Sequence, residues 1–494
     1  MKIMRPEQAG VSSANILQYI QILEENRLNS HSLIISRGDD IIYENYWAPF
    51  QKNEQHRMYS VSKSVVSLAI GFLEQDGLVK LDDPISVYFP KEMEIQADEN
   101  MRNQTIRHML MMSTAKLPQN WFQAKCEDRV QFYFSNDSQQ SRPSGTIFQY
   151  DSTGSFVLGA LVERVTGKLL MEYLREKLFR KIGVSEDAYC LKCPGGHSWG
   201  DSAIICTPMD LWKVARFTLN KGKVGSEQLL NEAYIRAATS KQIDNNPKGI
   251  HDYNTYGYGY LFWRTRDDSY FFDGMGCQMA ICNPATDMIM VYTADNQGFD
   301  PIAKPIIVNG FFDLIVNRAK GDPLPEDDVS YRNLTELSRE LKLKTAIGRT
   351  ESDIAPMVNG CVYTMNDNPM GITAVKLVFS QSNAVLHYTN SQGDKQLVFG
   401  MGHNVLGEFP EDGYSDCIGG MESPGNRYRC AASGAWIEPY KLSIKVQILD
   451  KYFGQLNITV AFTEDGLGLY MEKAAENFLL TYNGYATGKR AAGQ

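Results

Sequence analysis

The spacing of hydrophobic residues divides the chain into two parts of different character. Up to about residue 320, apolar positions at helical spacing alternate with short β-rich runs. The predicted helices cover residues 12–26, 60–76, 105–116, 152–168 and 207–222, and the predicted strands lie within residues 31–47 and 257–297. A hairpin is expected around Arg37–Asp40, and further turns are expected at residues 266–268 and 283–284. This pattern predicts a mixed α/β domain.

The spacing changes after residue 320, where the charged, proline-containing stretch "KGDPLPEDDVS" precedes a short predicted helix, "NLTELSRELKLK". From Gly360 to Tyr485 apolar and polar residues alternate at period two, in roughly eight runs separated by turn residues. Such runs are typical of an antiparallel β-barrel or sandwich. We therefore expect a first domain over residues 1–320, a linker with a short helix over 321–350, and a β domain over 351–494.

The stretch "YSVSKSVVSLAIGFLEQDG", residues 59–77, places hydroxyls and a lysine at the start of an apolar helix. A helix without a polar face is usually buried, and Gly77 suits the left-handed residue that follows a helix end. Lys63 stands one helical turn from Ser60, and burial disfavours the charged form of an amine, so Lys63 could accept the proton of Ser60. Free N–H groups at the helix start could stabilise an oxyanion formed when Ser60 attacks a carbonyl. The arrangement suits acyl transfer.

A purely structural explanation is also open, in which Ser60 caps the helix and Lys63 extends to solvent. Tyr150 and Ser152 lie downstream, ahead of another predicted helix, and their hydroxyls could hydrogen-bond the lysine and relay a proton. Taken alone, Tyr150 is better explained as a core tyrosine with a satisfied hydroxyl. The seven histidines have no obvious triad setting and no G-x-S-x-G motif is present, so a serine hydrolase built on Ser60 would rely on lysine and tyrosine.

Four segments resemble, in order and spacing, those of serine hydrolases related to class C β-lactamases, D-alanyl-D-alanine carboxypeptidases, certain esterases and 6-aminohexanoate-dimer hydrolases. They are "HRMYSVSKSVVSLAIGFLEQDGLVKLDDPISVYFP", "TIRHMLMMSTA", "PSGTIFQYDSTGSFVLGALVERVTGK" and "TPMDLWKVARFTLNKGK", and the resemblance covers residues 5–315 or so. It implies a β-lactamase-like antiparallel sheet flanked by helices. It also implies that Ser60 is the acylated nucleophile, Lys63 its proton partner and Tyr150 the general acid/base. Ser152 takes the substrate-binding place that β-lactamases usually fill with asparagine. The C-terminal part resembles, in composition, the lipocalin-like β-barrel domains attached to some of these enzymes.

A third family motif on the strand beside the site is altered to "FDGMGCQ". Phe272 and Asp273 stand where the family has a cation or a hydroxyl, whereas Gly274 is retained. By the resemblance, the backbone N–H groups of Ser60 and Met275 form the oxyanion hole, and Asp273 and Gly274 contact the substrate. Without the cation, recognition of a substrate carboxylate is not expected, and Asp273 could instead attract an amino group. A structural alternative is an exposed strand-end aspartate paired with Arg264.

Composition and charge exclude several classes of protein. The chain has 494 residues, 43% hydrophobic and 22% charged, with a net charge of −9, which argues against nucleic acid or an anionic membrane as partner. Nine cysteines without regular spacing and the lack of an apolar N-terminal segment favour reduced thiols in a cytoplasmic protein. Cys190 and Cys193 lack a second close pair, so we expect neither a metal site nor a cofactor.

The sequence therefore predicts a serine hydrolase that cleaves a small-molecule amide or ester through an acyl-enzyme. Two alternatives remain at this point: a β-lactamase or D-alanyl-D-alanine carboxypeptidase, and a ligand-binding homologue without catalysis. The oligomeric state is not predicted.

Overall fold

The computed structural model describes residues 2–94, 98–116, 126–135, 141–250, 252–413, 427–475 and 482–491. The chain forms two compact units, Met1–Lys342 and Leu343–Gln494.

The first unit contains helices on both faces of an antiparallel sheet. Its helices are α1 (Ser13–Glu25), α2 (Val61–Gln75), α3 (Pro90–Met93), α4 (Glu99–Arg102), α5 (Ile106–Leu110), α6 (Arg129–Ser135), α7 (Ser152–Thr166), α8 (Leu170–Leu174), α9 (Arg180–Ile182), α10 (Pro208–Leu219), α11 (Glu232–Thr239), α12 (Asp300–Gly310) and α13 (Asp328–Glu340). Its strands are β1 (Ser30–Arg37), β2 (Asp40–Tyr46), β3 (His56–Arg57), β4 (Tyr189–Cys190), β5 (Ile204–Cys206), β6 (Lys223–Val224), β7 (Glu227–Gln228), β8 (Trp263–Arg264), β9 (Tyr270–Gly274), β10 (Gln278–Asn283) and β11 (Met288–Ala294).

The main sheet has the strand order β2-β1-β11-β10-β9-β8, with antiparallel neighbours throughout. The predicted hairpin is present, since Arg37 pairs with Asp40. Helices α1 and α12 pack on one face through an apolar core, while α10 and α2 contact strands of the sheet outside that core. Strands β9, β10 and β11 are buried along their whole length, as expected for strands covered on both faces. The predicted antiparallel sheet flanked by helices is confirmed.

Helix α2 lies in the interior, as its apolar sequence predicts. Every residue from Val61 to Leu73 is buried. The helix ends at Gln75, and Gly77 adopts φ +71°, the left-handed conformation that glycine accepts without a Cβ clash. Its N-terminal end, with Ser60, is therefore held in a fixed place by packing on all sides.

Helix α13 belongs to the first unit, although the sequence analysis ended the first domain at residue 320. Its contacts with α1 and the burial of Leu334 and Leu341 in the first core extend this unit to Lys342. Tyr43 and Ser338 add a hydroxyl–hydroxyl hydrogen bond of 2.8 Å. The charged stretch that precedes α13 has the composition of a linker. The helix nevertheless packs on the first unit, because its apolar side chains are buried in the core of that unit.

The second unit is a closed β-barrel. It contains α14 (Ala355–Val358) and the strands β12 (Val362–Met365), β13 (Ala374–Ser380), β14 (Asn383–Asn390), β15 (Gly393–Met401), β16 (Val405–Glu408), β17 (Arg429–Glu438), β18 (Lys441–Leu449), β19 (Phe453–Phe462), β20 (Gly466–Ala475) and β21 (Gly484–Arg490). Apart from β15 and β16, which do not pair with each other, sequential neighbours pair antiparallel, and β21 returns to β12. A short parallel contact between β15 and β17 closes the ring, with β16 as an additional strand on β17. The predicted antiparallel β-barrel is confirmed. Within the described ranges no helix has the length and apolar character needed to cross a membrane.

Candidate active site

Ser60 and Lys63 are in direct contact at the start of α2. The Lys63 side-chain nitrogen lies 2.9 Å from Ser60 Oγ, within hydrogen-bond distance. The Lys63 side chain is only 2% exposed, whereas Ser60 is partly exposed. The Ser60 side chain makes no capping hydrogen bond to the helix. The structural alternative considered from the sequence, a capping serine and a solvated lysine, is therefore wrong.

The residue before the nucleophile candidate has an unusual backbone. Tyr59 is buried and adopts φ +48°, a conformation that costs free energy for a residue with a Cβ and is kept only when its surroundings impose it. The Arg57 guanidinium covers the Tyr59 ring at 4.5 Å and the Trp199 ring at 4.2 Å. The turn between β3 and α2 thus places Ser60 at the N-terminal end of α2.

Tyr150 completes the predicted group of three residues. The Lys63 nitrogen lies 5.1 Å from the centre of the Tyr150 ring, although 87 positions separate the two residues in the sequence. The ring is held by a stacking contact with Trp263, with centroids 5.5 Å apart and an interplanar angle of 20°. Trp263 was not singled out in the sequence, and it gives Tyr150 a rigid support on β8.

Ser152 lies beside this group but has a different local role. It is the first residue of α7, whose N-cap is Asp151; the buried Asp151 carboxylate accepts hydrogen bonds from the N–H groups of Thr153 and Gly154. In the described part of the chain no contact joins the Ser152 hydroxyl to Lys63 or Tyr150. Its assignment as a substrate contact stays a prediction.

Asp201 is a site residue that the sequence analysis missed. Its backbone carbonyl accepts a hydrogen bond of 2.8 Å from the Lys63 nitrogen, and its carboxylate lies 3.9 Å from the same atom. Both side chains are 2% exposed. Burial raises the pKa of Asp201, and the attraction of Lys63 and Arg129 opposes that rise. A single aspartate in "SWGDSA" carries no signal, because only the pairing of β3 with β5 brings it to α2.

The end of β9 approaches the same place from the other side. A Cβ at Gly274 would overlap the carbonyl oxygen of Met58, two residues before Ser60, so only glycine permits this approach. Met275 follows in the turn to β10, and its side chain is 37% exposed. Neither the Ser60 N–H nor the Met275 N–H donates a backbone hydrogen bond within the described ranges. Both amides are thus available for the predicted oxyanion hole.

Asp273 is buried and paired with a lysine that the sequence analysis did not consider. Lys304 of α12 lies 2.8 Å from Asp273 Oδ1 and 3.0 Å from Oδ2. Burial lowers the pKa of Lys304, but the carboxylates of Asp273 and Asp300 outweigh it and hold the pKa above its ordinary value. The ammonium form is therefore the stable one in this cluster.

The alternative of an exposed Asp273 paired with Arg264 is wrong on both counts. Asp273 is 8% exposed, and Arg264 instead pairs with Asp268 at 3.1 Å and donates to the Thr239 carbonyl. The local strand pattern alone does not show that α12 would cover this strand end.

Comparison with known proteins places this geometry in a family. The beta-lactamase family profile matches residues 18–307, more than half of the chain. The chain belongs to the beta-lactamase family. Among curated relatives of this family, the 6-aminohexanoate-dimer hydrolase of Paenarthrobacter ureafaciens is 24% identical over 291 residues, which cover 55% of this chain and 73% of that protein. The resemblance stated from the sequence motifs is confirmed.

Solved structures show the same fold. EstCE1, described as a hydrolase with promiscuous acyltransferase activity, aligns with a TM-score of 0.50 at 18% identity, covering 62% of this chain and 99% of its own. The octameric penicillin-binding protein homologue from Pyrococcus abyssi also has a TM-score of 0.50, at 15% identity, and covers 96% of this chain and 99% of its own. The beta-lactamase-family fold of the first unit is thus shown by several solved structures.

Proposed function

We propose that this protein is a serine hydrolase that cleaves a small amide or ester through an acyl-enzyme on Ser60, with Lys63 and Tyr150 handling the proton. The observation that carries the proposal is the 2.9 Å contact between the Lys63 nitrogen and Ser60 Oγ, made by a buried lysine next to the Tyr150 ring. Membership of a family of hydrolases supports the reaction class.

In the proposed acylation step, Ser60 Oγ attacks the substrate carbonyl while its proton passes to the Lys63–Tyr150 pair. The negative charge that develops on the carbonyl oxygen is stabilised by the N–H groups of Ser60 and Met275. As the tetrahedral intermediate collapses, Tyr150 returns the proton to the leaving amine or alcohol. Water then attacks the acyl group and gives a proton to the same pair, which passes it to Ser60 Oγ as the bond between the acyl carbon and Oγ breaks; the acid is released and Ser60 is restored.

The test is covalent labelling with a fluorophosphonate probe, read by intact mass and by peptide mapping. We expect one adduct, on Ser60, and loss of both labelling and hydrolysis of 4-nitrophenyl esters in Ser60→Ala, with an unchanged unfolding midpoint. Ser62 and Ser64 are matched controls because both are buried and already hydrogen-bonded, to the Ile204 N–H and the Leu261 carbonyl. An adduct mapped to either of them would contradict the proposal. A chromogenic cephalosporin, assayed in parallel, tests the β-lactamase alternative.

A further inference from the structure

A buried ion cluster occupies the strand end where this family carries a recognition motif. The Lys304 nitrogen contacts both oxygens of Asp273, at 2.8 and 3.0 Å, and lies 3.5 Å from Asp300. The side chains of Lys304 and Asp273 are 9% and 8% exposed. Asp273 directly precedes Gly274, whose Cα lies against the carbonyl oxygen of Met58, two residues before Ser60, so the pair is at the strand end nearest the nucleophile. The charge of Asp273 is thus compensated by the protein itself.

Asp300, on the same helix as Lys304, also binds the turn that follows Met275. One of its oxygens accepts the Gly276 N–H at 3.0 Å, and the other accepts the Cys277 thiol at 3.3 Å. Helix α12 therefore holds the chain on both sides of Met275, through Lys304 before it and Asp300 after it. Asp300 is thus bound to this turn, and the two charges paired at the end of β9 are those of Lys304 and Asp273.

Aromatic rings surround Tyr150 on the side of β8. Trp263, which stacks on Tyr150, also contacts Phe148 at 5.9 Å and Tyr258 at 4.9 Å between ring centroids. Tyr150, Phe148 and Trp263 are partly exposed and Tyr258 is buried. On this side the site presents apolar ring surface, which favours uncharged groups.

We propose that the Lys304–Asp273 ion pair makes the site select uncharged substrates, an inference that rests on the proposed function. A substrate ammonium near the end of β9 would meet an anion and a cation side by side, and their effects largely cancel; the same holds for a substrate carboxylate. Either charge would lose its hydration on entering without gaining a counter-ion. A preference for substrates with a free amino group would require an Asp273 carboxylate that is not paired with Lys304.

The experiment compares 4-nitrophenyl esters of N-acetylalanine, alanine and N-succinylalanine, which are neutral, cationic and anionic near the reacting bond. We expect the wild-type kcat/KM to favour the neutral ester by about tenfold. Lys304→Met unmasks the Asp273 carboxylate and should raise the cationic-to-neutral ratio by about tenfold. Asp273→Asn leaves the lysine and should raise the anionic-to-neutral ratio instead. The double variant carries neither charge of the Lys304–Asp273 pair and should return to the wild-type order.

Arg216→Met is the matched control, because Arg216 pairs with Asp39 and Asp287 at the turn beyond the far end of β10 and should leave all ratios unchanged. The inference is overturned if the wild type prefers the alanine ester, or if the two single variants move the ratios in the same direction or not at all. Fluorophosphonate labelling of Ser60 in every variant separates the two proposals. Labelled enzyme with unmoved ratios overturns the selectivity alone, whereas unlabelled, inactive enzyme overturns the proposed function and this inference with it.

Discussion

At the scale of single residues, the proposed function makes Lys63 and Tyr150 one proton-handling unit, and the centre of the Tyr150 ring lies 5.1 Å from the nitrogen that contacts Ser60. Lys63→Ala and Tyr150→Phe should each lower kcat by about 10²–10⁴-fold. If both serve one relay, the double variant should lose little more than either single variant. Steady-state kinetics of the three variants decide this, and losses that simply multiply would contradict a shared relay.

Asp201 is expected to set the charge balance around Lys63. Asp201→Asn keeps the backbone carbonyl that binds Lys63 but removes a carboxylate 3.9 Å from its nitrogen. Because asparagine carries no charge, the electrostatic support for a proton on that nitrogen during acylation is weaker, and kcat/KM for ester hydrolysis should fall by about tenfold.

The control is Asp201→Glu, which retains the charge and should keep kcat/KM near its wild-type value. A thermal melt checks folding, because Arg57 and Arg129 also act on this carboxylate. An Asp201→Asn variant with the kcat/KM of the wild type would show that Asp201 has only a structural role.

At the scale of elements, the approach of β9 to the start of α2 depends on Gly274. In Gly274→Ala the new methyl group would overlap the Met58 carbonyl oxygen, so the strand end or the turn before Ser60 must shift. We expect a loss of about 1–3 kcal/mol in the free energy of unfolding, together with a lower kcat because Met275 moves with the strand.

Gly468→Ala in β20 is the comparison. This glycine has open space around its Cβ position and no left-handed backbone, so alanine there should be neutral or slightly stabilising. Denaturant unfolding and ester hydrolysis of both variants provide the measurement. If Gly274→Ala had the activity of the wild type, the position of the end of β9 would not matter for catalysis.

At the scale of the whole molecule, a buried histidine pair should make stability depend on pH. His31 Nδ1 lies 3.2 Å from His56 Nε2, and burial together with His56 lowers the pKa of His31 well below its ordinary value. Below about pH 6.5 the unfolded chain binds a proton at this position that the folded chain does not bind. Stability should therefore fall as the pH drops from about 6.5 toward the folded-state pKa, by at most about 1.4 kcal/mol per pH unit for this one group.

The measurement is the thermal unfolding midpoint at about pH 7.5 and about pH 5.5 for the wild type and His31→Phe. Phenylalanine fits the stacking contact of His31 with Phe50, whose centroids are 4.0 Å apart, and has no proton to bind. The wild type should lose more stability at the lower pH than the variant. If the wild type and His31→Phe lost the same stability at the lower pH, groups other than His31 would cause the acid sensitivity.

The sequence by itself determined the features that depend on short-range geometry. Helical periodicity places Lys63 one turn from Ser60, the apolar character of residues 61–73 buries α2, and alternation at period two predicts the strands of the C-terminal barrel. These features need no knowledge of distant contacts. The motif order added the family, which the profile match over residues 18–307 confirms.

Only the tertiary structure decided which distant residues share the site. Asp201 and Lys63 are 138 positions apart, and Lys304 and Asp273 are 31 apart on different elements. Neither pair follows from a local pattern, because a single charged residue in a loop or a helix is usually solvated. The same reason explains the boundary at Lys342: the composition before α13 is that of a linker, and only the packing of Leu334 and Leu341 into the first core assigns the helix to that unit.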